Sequence, residues 1–584
     1  SSSLTGRGLG GIASVEAPAV FVYFHLSGAM KETFRLSMLW LHTWAGVVLG
    51  SLLFVIFWMG SLSVFNQEID RWMMPETRIA EPPADFSLDA FAERADADIG
   101  EATEWFLVMP RERIPFARFR LRDAAGVFTP EVRLDLTTGE AIPESETLAG
   151  TGFIFPFHFS LHLKWKRVGY WIVGLAGTMM LVLLISGVVV HARMIFKDAF
   201  TFRPERRLLR SALDLHNLSG VLVLPFHFMI AFTGVIIFVN VYFPQAAELA
   251  YADEEVPRTA YFQEGFEFYE REPAGVPATT AASLDTMWAK TVAEWGVPPY
   301  LVRSFHPGDA NGFVSMRRGY QDHVHYDRNV IYFDAVTGEE LHRFVTAPAM
   351  TTQHFLTGLH LIQFDHWGLR WLYFVAGLLG CVLIGTGFVY WLEKRRSKHE
   401  RLGLKGVRIV EALTKGSVTG VIVATVAFFV INRILPLGVE WAGQERSALE
   451  VWTFFLIWIG TFAHAWFRPE PAWKEQLWAV AVLSVIGVVL NGVTTGDHMV
   501  RTFAEKQWAV FGMDASLLVS AGLAVWIALL LGKKEEAVDV PSNEPARPRP
   551  VRPVASGSRP GKGRLTETEV QVSIQQPPTA THKS

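Results

Sequence analysis

The sequence predicts an α-helical polytopic membrane protein of about eight transmembrane helices, carrying two small α+β domains on one side of the bilayer. Three observations predict it. Half of the 584 residues are hydrophobic, with 20 Trp and 43 Phe, which is more apolar surface than one soluble core of this length uses. Eight apolar runs reach or approach the roughly 20 residues a helix needs to cross the hydrocarbon layer. Finally, the first 400 residues contain an internal duplication of the unit helix, α+β domain, helix.

Residues 1–34 hold no charge-flanked apolar run, so no cleaved signal peptide is expected and translation is expected to start at Met30. The first span is 35–66, the first α+β domain 67–160, the second span 161–192 and the connecting loop 193–212. The third span is 213–243, the second domain 244–358, the fourth span 359–392 and its following loop 393–415. A four-helix extension, 416–532, places spans near 416–435, 451–467, 475–495 and 513–532, the second of them short. The tail 533–584 is rich in Pro, Arg and Ser without apolar periodicity, and is expected to be disordered.

Charge supplies orientation. Arg193, Lys197, Arg203, Arg206, Arg207 and Arg210 crowd one loop, and Lys394, Arg395, Arg396, Lys398, Arg401, Lys405 and Arg408 the other. By the positive-inside rule both loops are cytoplasmic, eight spans put both termini there too, and the two long segments lie outside. A net charge of −4, with basic residues clustered in short loops, argues against nucleic acid as a partner.

The duplication has a fixed register. Ser37, Leu41, His42, Gly46, Gly60 and Asn66 recur as Ser211, Leu215, His216, Gly220, Gly234 and Asn240, a constant offset of 174. Leu161-His162-Leu163 matches Leu359-His360-Leu361, Trp171 matches Trp371, Ala176-Gly177 matches Ala376-Gly377, and Ser186-Gly187 matches Thr386-Gly387. Between the helices, Ser87-Leu88-Asp89 echoes Ser283-Leu284-Asp285. Residues 132–140 and 331–339 both read as an alternating strand running into a Gly turn.

With Leu41-His42-x-Trp44-x-Gly46, Asp214-Leu215-His216, the two Leu-His pairs and the two Asp-x-x-Thr-Gly-Glu turns, residues 35 to 400 resemble the PepSY-associated transmembrane family. Its members include ferrisiderophore reductases of the bacterial inner membrane. The resemblance implies a multi-pass inner-membrane protein with periplasmic PepSY-like domains. It implies a reductase passing electrons to a periplasmic ferric siderophore or other ferric chelate and releasing Fe(II) for iron uptake. The last four spans are not covered by it.

A histidine inside a membrane span is costly unless it meets a partner or a metal, so each is a functional candidate. His42 and His216 occupy equivalent positions, each followed one helical turn later by a glycine, Gly46 or Gly220, on the same face. A bare backbone there lets a flat macrocycle lie beside its axial ligand, so this pair is expected to hold the iron of haem b. His162 and His360 are expected to ligate a second haem iron, giving one or two haems in all. From His162 to His191 is 29 residues, roughly 43 Å of helix, a long gap for an electron. His227, His191 and His158 are therefore the next candidates as ligand or relay.

His354 and His366 read as interfacial, His464 has no visible partner, and His323-x-His325 reads as a solvated turn rather than a metal site. The single cysteine, Cys381, excludes disulfides, iron–sulfur clusters and covalently attached haem within one chain. No Rossmann or P-loop motif is visible, so electrons are expected from a quinol in the bilayer or a separate cytoplasmic reductase. Rival readings are a transporter of siderophore or iron with two related halves and a non-enzymatic regulatory or assembly protein with PepSY binding domains. Neither needs paired histidines at equivalent positions.

Overall fold

A computed structural model describes residues 34–539, apart from 81–85, 100–101, 193–194, 196–200, 204–207, 244, 255, 257–258, 262–264, 266–268 and 327. Met30, the loop cations Arg193, Lys197, Arg206 and Arg207, and the tail from 540 onward lie outside the described residues.

The chain is a multi-pass membrane protein: seven described helices are long and apolar enough to cross a bilayer, and eight if one bent pair counts as a span. Helix α1 (Phe34–Ser63) crosses first, and the short α2 (Asn66–Met73) turns off its end. Helix α3 (Leu88–Ile99) and strands β1 (Glu104–Val108), β2 (Ala117–Arg122), β3 (Val132–Leu134) and β4 (Ala141–Ile142) follow. The chain returns through α4 (Phe155–Ser160) and α5 (Val168–His191). The same order then recurs. Helices α6 (Leu208–Leu222) and α7 (Leu224–Ile237) make the bent pair. Helix α8 (Leu284–Trp295), β5 (Pro299–Phe305), β6 (Phe313–Arg318), β7 (Val330–Asp334) and β8 (Glu340–Phe344) come next, and α9 (Pro348–Leu361) and α10 (Trp367–Arg401) return. The extension is α11 (Gly406–Ile434), α12 (Arg446–Phe467), α13 (Ala472–Thr495) and α14 (Trp508–Asp539).

Two spans depart from the sequence reading. The third, expected as one helix over 213–243, breaks by 66° between α6 and α7. Pro225, at the start of α7, lacks an N–H and its ring clashes with the carbonyl four residues back, so the helix kinks there. The fourth does not end at 392: α10 runs on to Arg401, so most of the expected loop 393–415 is helical. Residues 393–401, Glu-Lys-Arg-Arg-Ser-Lys-His-Glu-Arg, are mostly good helix formers, and cations in a last turn complement the helix dipole.

The two α+β segments were expected as separate domains. Instead they form one eight-stranded antiparallel sheet, in the order β4-β3-β2-β1-β5-β6-β7-β8. The join is β1 against β5, with Phe106 opposite Arg303. Each half on its own leaves that edge with unpaired backbone groups, and pairing the two edges satisfies both. One core then spans the halves: Leu88, Phe91, Trp105 and Leu107 of the first pack with Leu284, Met287, Val302 and Ile331 of the second. The two Asp-x-x-Thr-Gly-Glu turns are the same structure. Gly139 N–H donates to the Asp135 carbonyl and Gly338 N–H to that of Asp334, both glycines at positive φ near 75°.

The repeated Ser-Leu-Asp motif is a reciprocal clasp. The Asp285 carboxylate accepts from Ser87 Oγ (2.6 Å) and Leu88 N (2.7 Å). The Asp89 carboxylate accepts from Ser283 Oγ and Leu284 N (both 2.6 Å). Each acid thus caps the N-terminus of the other repeat's helix. Asp285→Ala is expected to cost about 1 kcal/mol and to speed hydrogen exchange at the first turn of α3 rather than of α8. Protection lost only in α8 would show that the cap is local.

The extension packs along α1, α2 and α4. Helix α11 is its most buried member, and Phe428, Phe454 and Trp458 surround Phe153 and Phe157 just before and within α4. Buried polar contacts fix the join: Trp72 Nε1–H donates to Asp514 (2.7 Å), and Arg78 pairs with Asp497 (2.7 Å). His464, for which the sequence showed no partner, meets Glu475 at 2.7 Å across the α12–α13 turn.

Candidate functional site

Seven histidines of the two repeats were candidates, and the structure sorts them into two face-to-face pairs and three single positions. His42 on α1 and His216 on α6 meet with ring centroids 6.2 Å apart and planes at 76°. His42 Nδ1–H donates to the Leu183 carbonyl (2.9 Å), and His216 Nδ1–H to the Leu383 carbonyl (2.8 Å). A carbonyl only accepts, so Nδ1 carries the proton in each ring and Nε2 keeps its lone pair, the nitrogen that binds a metal. Leu183 and Leu383 are themselves repeat mates, 200 residues apart.

Glycines admit the rings. A Cβ at Gly187 would stand 3.1 Å from the His42 ring, and one at Gly387 3.1 Å from the His216 ring. These glycines lie on the partner helices α5 and α10. Sequence matching paired them as Ser186-Gly187 and Thr386-Gly387 without giving them this task. Gly46 and Gly220, singled out instead, line the cavity around the first pair, where their bare backbones face Leu183 and Leu383. That cavity measures about 580 Å³. Arg35, Lys394, Arg395 and His191 lie on its rim, and no acidic residue is among the described residues lining it. Asp214 of the Asp-Leu-His motif faces away, buried against Arg203 (2.8 Å) and Arg210 (3.1 Å), and anchors the start of α6.

The second pair corrects the sequence reading. His360 faces His158, not His162, with centroids 5.9 Å apart and planes at 26°. The Leu-His-Leu match aligned a position past one helix's end with the last turn of another. Helix α4 stops at Leu161, left-handed at φ 53°, so His162 (φ 56°) already lies in the connection to α5 and its ring rests on Phe153. Helix α9 continues to Leu361, so His360 stays on it. Contacts reveal the true equivalence. The His158 ring lies against Gly60 and the His360 ring against Gly234, and a Cβ at either glycine would stand 2.7 Å from its imidazole. Gly60 and Gly234 are mates at the 174 offset.

Here too Nδ1 is committed. His158 Nδ1–H donates to the Ile56 carbonyl (2.9 Å). His360 Nδ1–H donates to Thr233 Oγ1 (3.1 Å), whose own hydrogen goes to the Met229 carbonyl. The adjoining cavity is smaller, about 120 Å³, and five glycines line it: Gly60, Gly174, Gly177, Gly234 and Gly377.

The corrected pairing also shortens the gap. His42 and the Ile56 carbonyl that holds His158 are 14 residues apart on α1, about 21 Å, in place of the roughly 43 Å expected from His162 to His191. His227 is fully buried, its ring against Phe57 and Phe226, and belongs to neither pair. Of the rest, His366 caps α10 by accepting from Leu369 N (3.1 Å), and His354 is buried beside His325. His323 and His325 lie in a turn, as read, with rings stacked 5.9 Å apart.

An imidazole nitrogen binds a transition metal at about 2.0–2.1 Å, so two rings on opposite sides of one ion have centroids roughly 6 Å apart. Both pairs meet that spacing. Among the described residues no group of three or more His, Cys, Asp or Glu is placed to hold a metal ion. A metal at either pair therefore has two protein ligands and must bring the others with it.

Residues 39–394 match the family described as the PepSY-associated TM region. A similar protein from Pseudomonas aeruginosa, named only as uncharacterized protein PA4219, is 23% identical over 388 residues, covering 61% of this chain and 88% of that protein.

Proposed function

Since the chain belongs to the PepSY-associated TM family, we propose that it is a haem b oxidoreductase of the bacterial inner membrane. It passes single electrons across the bilayer to a ferric siderophore or other ferric chelate on the periplasmic side. The observation that carries this reading is the double pairing of imidazoles. Two rings at each place, each with Nδ1 tied and Nε2 free, would supply two imidazole ligands and nothing more, which suits an iron whose other ligands come with a macrocycle. The residues fit the group. His42 and His216 would hold one haem in the larger cavity, whose lining includes Arg35, Lys394 and Arg395 as partners for its carboxylates. His158 and His360 would hold the second beside the glycines of the smaller cavity.

Bound haem supplies reversible one-electron chemistry at iron; the chain tunes it. The carbonyls of Leu183, Leu383 and Ile56 and the Thr233 hydroxyl raise the basicity of their imidazoles by accepting the Nδ1 hydrogen. All four rings are half-buried. By the positive-inside rule, the cations Arg203, Arg210, Lys394 and Arg395 support a cytoplasmic side for the first pair and for both termini, and a periplasmic side for the sheet. A quinol in the bilayer, or a separate cytoplasmic reductase, then feeds the first pair. The Fe(III) chelate is substrate, and reduction to Fe(II) weakens its hold by hard oxygen donors.

The test is a visible spectrum of purified protein before and after dithionite, with haem counted by pyridine extraction. Two low-spin haems per chain are expected. Protein made with haem available that stays colourless would remove the reading.

A further inference from the structure

Helices α3 and α8 pack on one face of the eight-stranded sheet, where Trp105, Leu107, Phe119 and Val302 meet them. The alternate residues of the joined strands β2, β1 and β5 therefore point the other way. Register sets them in rows across the join: Arg118 beside Val108, Arg120 beside Phe106 and then Arg303, and Arg122 beside Glu104 and then Phe305. These rows hold four arginines and one carboxylate, in a chain whose net charge is −4. The basic patch is thus local to this part of the sheet. Farther along, Tyr269 lies over Phe313, Tyr332 and His342 and covers the face of β6, β7 and β8.

Aromatic rings hold the cations in place. Phe106 is only 7% exposed although it points away from both helices, because the guanidiniums of Arg303 (4.4 Å) and Arg120 (5.0 Å) and the Phe128 ring (5.1 Å) lie against it. Arg120 also stacks on Phe128 (4.4 Å) and Arg303 on Phe305 (4.5 Å). Stacking fixes a planar guanidinium through its faces and leaves the N–H donors at its edge to meet an anion. Glu104 pairs with Arg122 (2.6 Å) and Arg303 (3.1 Å), and Glu131 stands 3.8 Å from Arg118. Arg120 meets no carboxylate among the described residues. Two strand spacings, about 9.5 Å, separate the Arg120 and Arg303 positions, and about 14 Å of strand separates Arg118 from Arg122. A single small anion spans neither distance; a compact polyanion spans both.

We infer that this face captures the ferric chelate as an anion, a complex whose iron is wrapped by catecholate or carboxylate oxygens, in preference to a neutral hydroxamate complex. That the anion carries iron rests on the function proposed above; the anion site itself rests on the arginine rows. Edge-on guanidinium donors match the paired oxygens of such ligands, and the rings of Phe128 and Phe305 offer apolar surface between the charges. Glu104 is the one carboxylate in the rows, and it is engaged by Arg122 and Arg303, so the patch has no free oxygen donor to compete for the metal. The complex is held intact.

The experiment titrates the full chain in detergent with gallium(III) complexes by calorimetry. Gallium(III) has the charge and nearly the size of ferric iron and is not reduced, so binding is read whether or not haem is present. The tris-catecholate complex is expected to bind, more weakly as salt is raised, and the neutral tris-hydroxamate complex about tenfold more weakly still. Arg120→Gln and Arg303→Gln are each expected to raise the Kd of the catecholate complex about tenfold, the loss of one charge-assisted hydrogen bond, with thermal unfolding unchanged for Arg120→Gln. Arg343→Gln removes the same charge from the helix-covered face, where Arg343 pairs with Glu294 and Glu340, and is expected to bind as wild type does. Equal affinity for the two complexes, a wild-type Kd in Arg120→Gln, or equal weakening in Arg343→Gln would overturn the site. So would inorganic phosphate that displaces the complex at equal concentration. A haem-free wild-type chain that still binds the anionic complex removes the proposed function and keeps this site; a haem-loaded chain that does not bind it removes the site alone.

Discussion

His158→Ala is expected to abolish one of two low-spin haem components and the haem that gives rise to it, and His360→Ala to abolish the same one. His162→Ala is expected to keep both. The pairing leaves no alternative: the His158 and His360 centroids are 5.9 Å apart, whereas His162 has passed the end of α4 and rests on Phe153. Ring orientation identifies the lost component. Nearly parallel imidazole planes, at 26°, give an ordinary rhombic electron paramagnetic resonance signal, while planes at 76° give a strongly anisotropic one. The rhombic signal should vanish in the His158 and His360 variants, and the anisotropic one in His42→Ala and His216→Ala. Full haem content in His158→Ala, or loss of haem in His162→Ala, would refute the pairing.

Glu68→Ala is expected to cost about 3–5 kcal/mol of stability, the range for stranding a buried charge. The carboxylate of Glu68 on α2 takes a two-pronged contact from Arg113 of the β1–β2 connection (2.9 and 2.8 Å) and a third bond from Arg370 of α10 (2.9 Å). Both guanidiniums are buried, Arg370 completely, and Arg370 lies between Phe65 and Trp367. This triad joins the sheet to α2 and to the span α10, so the loss should appear as earlier thermal release of the sheet, read by hydrogen exchange in β1 and β2. Burial raises the Glu68 carboxyl, but the hydrogen bonds and charge of Arg113 and the charge of Arg370 outweigh it and hold it below the ordinary value. A depressed carboxyl stabilises the fold fully above its unfolded value of about 4.3, and the contribution is lost as pH falls through the lower folded value. Stability should therefore fall more steeply below about pH 4 in wild type than in Glu68→Gln. Equal acid profiles would show that the triad contributes nothing.

The same residues show what could be read from the chain alone. Hydropathy located the spans because a helix in lipid must be apolar along its whole length, a local property of sequence. The duplication located His42 and His216 because both repeats keep the same helix, the same register and the same offset. It misplaced the outer pair because the connection before the second helix differs in length between the repeats. Matching by the Leu-His-Leu string followed identity instead of position relative to the helix end. The breaker Pro225 was visible in the sequence, and its effect was a bend within a run that hydropathy scored as one span.

Composition, period and register, then, determined a multi-pass membrane protein with two equivalent halves and histidines inside them, since each follows from residues close in sequence. Only the tertiary structure decided which rings face each other, that the two outer segments merge into one sheet, and that the Ser-Leu-Asp motifs clasp across the repeats. These depend on contacts between residues far apart in the chain, where the close approach of one helix to the glycine of another, and not the local pattern, chooses the partner.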